Sequence, residues 1–510
     1  MSRWVRRGLA VPLGVPLALA FPRPSLWWLA FVGLVPLLAL VRAAPSRREA
    51  AVAAWLGGAG FFLAVDSFLL RQVGPFALPL ALVVGACWLP LGLVAWGLLR
   101  GPVSPMRALA ALVLVPSAWV AGEFVRAWPA LGGPWGLLGA TQWNQPAVLT
   151  LASVGGVWAV SFLLAAVNVG LTVALASAAC SLDSGGLAVD RARGRLVGLG
   201  VPLVLVAGTL AYAAVRPAPD AAGTMRVALV QPGVIDDVEQ RFQASLAATL
   251  GLAGDRLDLV VWGESSIGRD LDQHPADLAR LSAAARTVGA PLLVNVDAER
   301  GAGGIYKSSV LVGPDGREGS YDKMRLVPFG EYIPLRPLFG WAARVTDAAA
   351  TDRRRGRRLE VLHAGPVAVG PVVCFESAFP DLARTLARRG ADLVVVQSAT
   401  TTFQRTWGPD QHASLAAVRA VEAGRPVAQA ALSGISAAFD ARGHRLAWRP
   451  TSWRGAAVVT LPRSTEITPY ARFGDWLPLA CGLVLAVAAL GAVAEGRRLP
   501  RPRHGEALRS

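Results

Sequence analysis

The run Val367-Ala368-Val369-Gly370-Pro371-Val372-Val373-Cys374-Phe375-Glu376-Ser377 reads as a short strand of the fully buried kind that stops on a cysteine. A helix-like stretch follows from Asp381 to Arg389, and a second apolar strand from Leu393 to Val396. The same alternation extends upstream. Strands are expected at Arg226 to Gln231, Leu257 to Trp262, Pro291 to Val296 and Ser308 to Val312, with helices at Phe242 to Leu252 and Ala276 to Val288. Downstream, Gln411 to Gly424 carries a helical pattern. Strands interleaved with helices over residues 217–472 predict an α/β sandwich domain. Within it, Arg353 to Arg358 is a charge run with no apolar period, expected as a solvated loop.

Outside this region the chain is of a different class. Of its 510 residues 54% are hydrophobic and 16% charged, and a mean hydropathy of +0.45 excludes a purely soluble protein. Apolar runs near the length needed to cross a bilayer lie at Leu26 to Val41, Ala50 to Leu70, Phe76 to Leu99, Leu109 to Trp128, Ala147 to Ala176, Leu196 to Val215 and Trp476 to Ala494. A shorter run, Gly8 to Phe21, comes first. With Arg3, Arg6 and Arg7 before it and Ala18-Leu19-Ala20 near its end, it reads as a retained first span or a cleaved signal peptide, the former preferred. The expectation is a multi-pass α-helical membrane domain over residues 1–216 with about seven spans, a single span at 473–496 and a basic cytoplasmic tail at 497–510, about eight spans in all.

Arginine placement sets the orientation. Arg42, Arg47 and Arg48, then Arg100 and Arg107, then Arg191, Arg193 and Arg195, then Arg497, Arg498, Arg501 and Arg503 fall on alternate loops, which are therefore expected inside. By parity the α/β domain is expected on the outer face of a bacterial plasma membrane. The net charge of +16 divides accordingly: residues 1–216 carry 15 basic and 5 acidic side chains, 217–475 carry 30 and 27, and 476–510 carry 5 and 2. A nearly neutral middle region argues against a polyanion-binding surface, and no nucleic-acid partner is expected. Cys87, Cys180 and Cys481 lie in or beside apolar runs, which leaves Cys374 alone in the polar region, with no disulfide framework possible there.

Three features of that region bear on chemistry. Cys374, at a strand's carboxyl end before a helix, is placed where helix-end amides would stabilise a thiolate nucleophile, although a small buried residue would look the same. The chain holds 48 arginines and two lysines, Lys307 and Lys323, so a retained lysine suggests a site that needs a compact ammonium. Lys323 sits in Tyr321-Asp322-Lys323-Met324-Arg325-Leu326-Val327-Pro328-Phe329-Gly330-Glu331-Tyr332, rich in turn and aromatic residues. Glu264, in Val260-Val261-Trp262-Gly263-Glu264-Ser265-Ser266, also ends an apolar strand, the place where ligand and catalytic groups of α/β sheets collect. A carboxylate there can take the thiol's proton, and a lysine can stabilise the oxyanion formed when a carbonyl is attacked.

These segments resemble the apolipoprotein N-acyltransferases, membrane members of the nitrilase (carbon-nitrogen hydrolase) superfamily. The resemblance covers nearly the whole chain. Glu264, Lys323 and Cys374 stand in the order and context of the superfamily's Glu-Lys-Cys triad, and Val327-Pro328-Phe329-Gly330-Glu331 carries Glu331 over as a second glutamate. Cys374-Phe375-Glu376 is similar to the nucleophile segment, with Glu376 as a supporting acid. Gly122-Glu123-Phe124-Val125-Arg126 and Gly133-Pro134-Trp135 resemble the segment between the fifth and sixth spans, where Glu123 is expected to pair with Arg126.

The resemblance implies a nitrilase-like αββα domain and ping-pong transfer of an acyl chain from a phospholipid, through a Cys374 thioester, to the α-amino group of a lipoprotein's N-terminal diacylglyceryl-cysteine, by a monomer. Phe375 stands where bacterial members commonly have tyrosine. Gln397-Ser398-Ala399-Thr400-Thr401-Thr402-Phe403 replaces the family's Asn-Asp-x-Trp-Phe, and no tryptophan occurs from Val234 to Phe242. These departures bear on acceptor handling and donor choice, and leave a divergent, low-activity paralogue open.

Two other readings compete. A membrane-tethered amidase would use the same triad with water as second nucleophile, but one span would suffice as its tether. A transport or scaffold protein would not need the three residues, and the spans lack the paired intramembrane charges that mark ion pathways. His274, His363, His412, His444 and His504 have no metal-ligand spacing, and His412 reads as a capping or packing residue. No metal and no cofactor are expected, since no glycine-rich phosphate loop is present.

Overall fold

The computed structural model describes residues 1–178, 185–217, 223–300, 304–334, 336–340 and 352–498. Cys180, Arg501 and Arg503 lie outside them. Among the described residues, twelve strands run from Thr224 to Pro462: β1 Thr224–Gln231, β2 Leu259–Trp262, β3 Leu292–Glu299, β4 Ile305–Gly313, β5 Gly316–Asp322, β6 Leu362–Ala364, β7 Val367–Val373, β8 Leu393–Ser398, β9 Val427–Ala431, β10 Ser436–Phe439, β11 Arg445–Arg449 and β12 Gly455–Pro462. They form two six-stranded sheets, in the orders β12-β1-β2-β3-β4-β5 and β11-β10-β9-β8-β7-β6. At the centre of each, three strands are parallel, β1-β2-β3 in one and β7-β8-β9 in the other, and antiparallel strands flank them. The carboxyl ends of the parallel strands are where Glu264 and Cys374 stand.

The packing is four layers deep, and alternation along the strands assigns each side chain to a layer. Val227, Leu229, Val261 and Leu293 of the first sheet meet Val369, Leu393, Val395 and Ala428 of the second in one dry core between the sheets. Val230, Val260 and Trp262 point the other way, into Phe242 and Leu281 of the helices Val238–Leu250 and Pro275–Val288. On the outer face of the second sheet lie the helices Pro380–Arg388 and Gly408–Ala423. That layer is shared, because Val372, Val396, Leu386 and Val418 belong to the same apolar cluster as Phe62, Leu149, Val157 and Trp158 of the membrane part.

Among the described residues, six helices are long and apolar enough to cross a membrane: Arg47–Val65, Gly74–Leu99, Pro105–Arg126, Val157–Ser177, Ala192–Val215 and Trp476–Ala494. Leu203, Val204, Leu483 and Leu490 on the last two are exposed, as lipid-facing residues must be. The first two runs read from the sequence form shorter pieces, a 16-residue helix Arg3–Ala18 and a 3-10 turn Trp27–Phe31 followed by the helix Val35–Arg42. The break is sealed by the buried Asn168, whose Oδ1 accepts from Leu34 N (2.9 Å) and whose Nδ2 donates to Ala30 O (2.8 Å). The run from Ala147 also breaks, at Gly156 with φ +70°. The helix that restarts at Val157 is capped by a residue of the α/β domain, Glu422, whose Oε1 accepts from Val157 N (2.7 Å).

Candidate active site

Glu264, Lys323 and Cys374 converge between the two sheets. Glu264 follows β2, Cys374 follows β7, and Lys323 follows β5, whose direction matches β2 and β3 because two antiparallel pairings separate them. Lys323 is 1% exposed. Its Nζ lies 3.3 Å from Glu264 Oε1 and 2.9 Å from Glu331 Oε1, and Glu331 Oε2 accepts from Val327 N (2.8 Å), which closes the loop that carries it. The Cys374 thiol and the Glu264 carboxylate act on each other's charge, and Glu264 Oε2 accepts from Ala399 N (3.1 Å).

Burial works against the charge on Glu264, but Lys307 and Lys323 outweigh it and hold the carboxyl down to about 2. Burial, then the charge of Glu264, pushes the Cys374 thiol up to about 12 against the pull of Lys323. Burial opposes the ammonium of Lys323 too, yet Glu331 and Glu264 raise it above its ordinary value. The resting site is therefore thiol, carboxylate and ammonium. This differs from the expectation of a thiolate stabilised by helix-end amides: a thiol in this state would need its proton removed in order to attack, and Glu264 is the carboxylate whose charge acts on it.

The backbone is bent to aim these groups. Of the four non-glycine residues with positive φ among the described residues, three are here: Ser265 (54°), Phe329 (58°) and Cys374 (51°). Such a conformation costs of order 1–3 kcal/mol and persists only where neighbours over-determine it. Ser265 N donates to Asn295 Oδ1 (2.9 Å), and Phe329 N to Tyr332 O (2.7 Å). At Cys374 the fixing group is Glu376, fully buried, whose Oε2 accepts from Val373 N (2.8 Å). Its Oε1 accepts from Tyr321 OH (2.7 Å), Met324 N (2.7 Å) and Arg325 N (2.9 Å). One carboxylate thus ties the turn of Cys374 to the segment of Lys323.

Gln397 at the end of β8 bridges the sheets, its Nε2 donating to Trp262 O (2.8 Å) and Leu293 O (3.1 Å). Gly263 is required beside Glu264, because a Cβ there would run into the backbone of Ala431 and Leu432.

Cys374 and Phe375 open on a cavity of about 340 Å³. Phe329, Phe403 and His412 line it from the α/β domain, and Phe62, Leu80 and Val84 from the membrane helices. Phe375 packs edge-on against Phe379 with ring centroids 5.1 Å apart. Gly133 makes room for both: a Cβ there would come within 2.9 Å of the Phe375 ring and 2.8 Å of Phe379. The wall is apolar except at a few points, among them Asp66 and Arg126. Arg126 is buried over the Phe62 ring at 4.7 Å, and its Nε and Nη2 have no hydrogen-bond partner. It does not ion-pair with Glu123, which instead accepts from Leu138 N (2.7 Å).

Sequence reading passed over two residues. His412, expected to cap or pack, stands in the cavity wall beside Trp135, and burial lowers its pKa, so it is neutral. Lys307 had the signal that singled out Lys323, a lysine in an arginine chain. Its Nζ is 3.2 Å from Glu264 Oε1, so both lysines meet the same oxygen. No group of three or more His, Cys, Asp or Glu among the described residues is arranged to hold a metal ion.

The chain matches two families in the order of its two parts. The apolipoprotein N-acyltransferase N-terminal domain matches residues 13–170, and carbon-nitrogen hydrolase matches residues 226–468. Apolipoprotein N-acyltransferase of Geobacter metallireducens is 30% identical, over 96% of this chain and 95% of its own. That of Azotobacter vinelandii is 31% identical over 99% of each. Among solved structures, an amidase of the nitrilase superfamily from Nesterenkonia AN1 matches with a TM-score of 0.37 and 22% identity, covering 51% of this chain and 94% of that one. The chain belongs to the apolipoprotein N-acyltransferase family.

Proposed function

We propose that this protein transfers an acyl chain from a phospholipid to the α-amino group of a lipoprotein's N-terminal diacylglyceryl-cysteine, in two steps through Cys374. The observation that carries the reading is the position of Cys374, coupled electrostatically to Glu264 of the polar cluster and open to an apolar cavity walled by membrane helices. An acyl chain enters that cavity from the bilayer, which brings its ester carbonyl to the thiol. Glu264 takes the thiol proton as sulfur attacks the carbonyl carbon, and the oxyanion is met by Lys323 and a backbone N–H. The ester C–O bond breaks, Glu264 returns the proton to the glycerol oxygen, and lysophospholipid leaves a thioester. The lipoprotein amine then attacks, Glu264 accepts its proton, the C–S bond breaks, and the thiol is restored.

Glu331 holds Lys323, Glu376 holds the turn of Cys374, and Phe375 forms the wall beside the acyl chain. The unpartnered Nε and Nη2 of Arg126 suit the phosphate of the donor. In this reading residues 1–216 supply about seven spans, 217–472 the catalytic domain on the outer face, 473–496 the last span and 497–510 a cytoplasmic tail, and the protein acts as a monomer.

Mass spectrometry of the purified protein incubated with phospholipid tests the first step. The expected result is an acyl adduct on the Cys374 peptide, labile to hydroxylamine, with lysophospholipid released and no adduct in Cys374→Ser. Full transfer activity in Cys374→Ala, or no adduct with any phospholipid, overturns the reading.

A further inference from the structure

We propose that Lys307 is a positioning residue for the reaction: wedged between Glu264 and Asp297 and bonded to Ser265, it keeps Glu264 an ionised base aimed at Cys374. The inference rests on Glu264 acting as that base. Lys307 lies on β4, opposite Asp297 of β3 in the antiparallel register, and it is 7% exposed. Its Nζ makes three contacts: Ser265 Oγ at 2.7 Å, Glu264 Oε1 at 3.2 Å and Asp297 Oδ1 at 3.2 Å. The first holds the residue next to Glu264 in its left-handed conformation, so the ammonium fixes both the direction and the charge of the carboxylate.

The charge count makes Lys307 necessary. Facing one another in the buried cluster are Glu264, Glu331, Lys307 and Lys323, with Cys374 and His412 on the cavity side. Asp297 is met on its outer side by Arg353, 3.8 Å away. Two inner acids are thus balanced by two lysines. Remove Lys307 and both acids share Lys323, which sits 2.9 Å from Glu331 but 3.3 Å from Glu264. Two carboxylates around one cation in a buried site do not both stay ionised, and Glu264, the more distant, takes the proton. A protonated Glu264 cannot accept the proton of Cys374.

The experiment measures alkylation of Cys374 by iodoacetamide, followed by peptide mass spectrometry, from about pH 3 to 8.5. It needs no lipid, so it separates failure of this inference from failure of the acyl-transfer reading. The wild-type rate is expected to be flat. Lys307→Met is expected to bring an acid limb into the range, displaced upward by about 1–3 pH units, with the rate falling about tenfold per pH unit below it. Lys307→Gln, which retains a bond to Ser265 without the charge, should show the same limb, and Lys307→Arg should restore the flat profile. In phospholipid turnover the loss should fall on kcat at low pH, with KM unchanged. Thermal unfolding checks that each variant folds. Should Lys307→Met not fold, Lys307→Gln and Asp297→Asn decide: a limb in the first and none in the second are expected. Profiles of the charge-removing variants that run parallel to wild type, or a limb in Asp297→Asn, overturn the inference.

Discussion

Glu376→Gln replaces one oxygen of the carboxylate by an amide, and the surroundings cannot accommodate it. All four partners of Glu376 are donors: Tyr321 OH, Met324 N and Arg325 N on Oε1, and Val373 N on Oε2. A carboxylate accepts from all four, whereas a carboxamide accepts on one side only. With its oxygen kept toward the first three, its NH₂ faces the N–H of Val373. Three bonds then lose their charge assistance, at about 1 kcal/mol each, and one buried N–H loses its acceptor, at about 1–3 kcal/mol. Relief of the desolvation that already pushes this carboxyl above its ordinary value offsets part of the cost. A net loss of about 2–4 kcal/mol follows, roughly 5–15 °C in Tm for a domain of this size.

The damage is not only to stability, because Val373 immediately precedes the left-handed Cys374. Thermal unfolding in detergent and the initial rate of Cys374 acylation, measured on the same preparation, should both fall. A Glu376→Gln protein that melts within about 1 °C of wild type and acylates at the wild-type rate refutes the assignment of Glu376 as the tie between nucleophile and lysine.

The resting protonation states fix the pH dependence. Glu264, held to about 2, is ionised above that value, and Cys374, raised to about 12, is protonated below it, so the reactive pair is the dominant form at every pH between. Thioester formation by the wild type should be level across about pH 5–9, and a rise with a midpoint near the ordinary thiol value of about 8.5 would contradict it. The same depression of Glu264 stabilises the fold above its unfolded pKa of about 4.3, and that contribution is lost as pH falls toward 2. Arg126→Met removes from the cavity a guanidinium whose Nε and Nη2 have no hydrogen-bond partner. It should raise KM for phospholipid about 10–100-fold, the worth of a charge-assisted bond. Cleavage of a p-nitrophenyl fatty ester, which has no phosphate, should be unchanged, and an equal loss on both substrates would refute the assignment of Arg126 to the phosphate.

How far the sequence reveals this arrangement depends on what each residue's position requires. Strands β1 to β4, β7 and β8 are legible because branched side chains fill both faces. Strands β9 and β10 are not: Val427-Ala428-Gln429-Ala430-Ala431 and Ser436-Ala437-Ala438-Phe439 are fully buried but built of small residues that read as helix or loop. Strand β5, at a sheet edge, is Gly316-Arg317-Glu318-Gly319-Ser320-Tyr321-Asp322 and shows little apolar alternation. Chemistry followed the same rule. Glu264, Lys323 and Cys374 end segments whose motifs carry them, whereas the partnership of Lys307 with Glu264 depends on the register that sets Lys307 against Asp297. Likewise His412 and Asp66 acquire their place only when the helices Gly408–Ala423 and Arg47–Val65 meet, with Gln411 Nε2 donating to Val65 O (3.0 Å) across that contact.

The meeting of the two parts also determines what the membrane helices can contribute. An acyl chain that leaves the bilayer for a cavity lined by Phe62, Leu80 and Val84 passes from one apolar surrounding to another, so little hydrophobic free energy is gained by the transfer, since lipid tails are as apolar as these side chains. In the acyl-transfer reading proposed above, the helices therefore act on position rather than affinity, through a shape that brings one ester carbonyl to one sulfur. Orientation of that kind is worth up to about 7–11 kcal/mol when the reacting atoms are held in attack geometry. It demands a rigid relation between wall and nucleophile. The apolar cluster shared by Val396 and Trp158, the capping of Val157 by Glu422, and the bond from Trp135 Nε1 to Gln411 Oε1 (2.8 Å) provide that relation. A single anchoring span would hold the catalytic domain at the membrane but would leave Cys374 without the far wall of its cavity, which is the physical reason for a membrane domain of several helices.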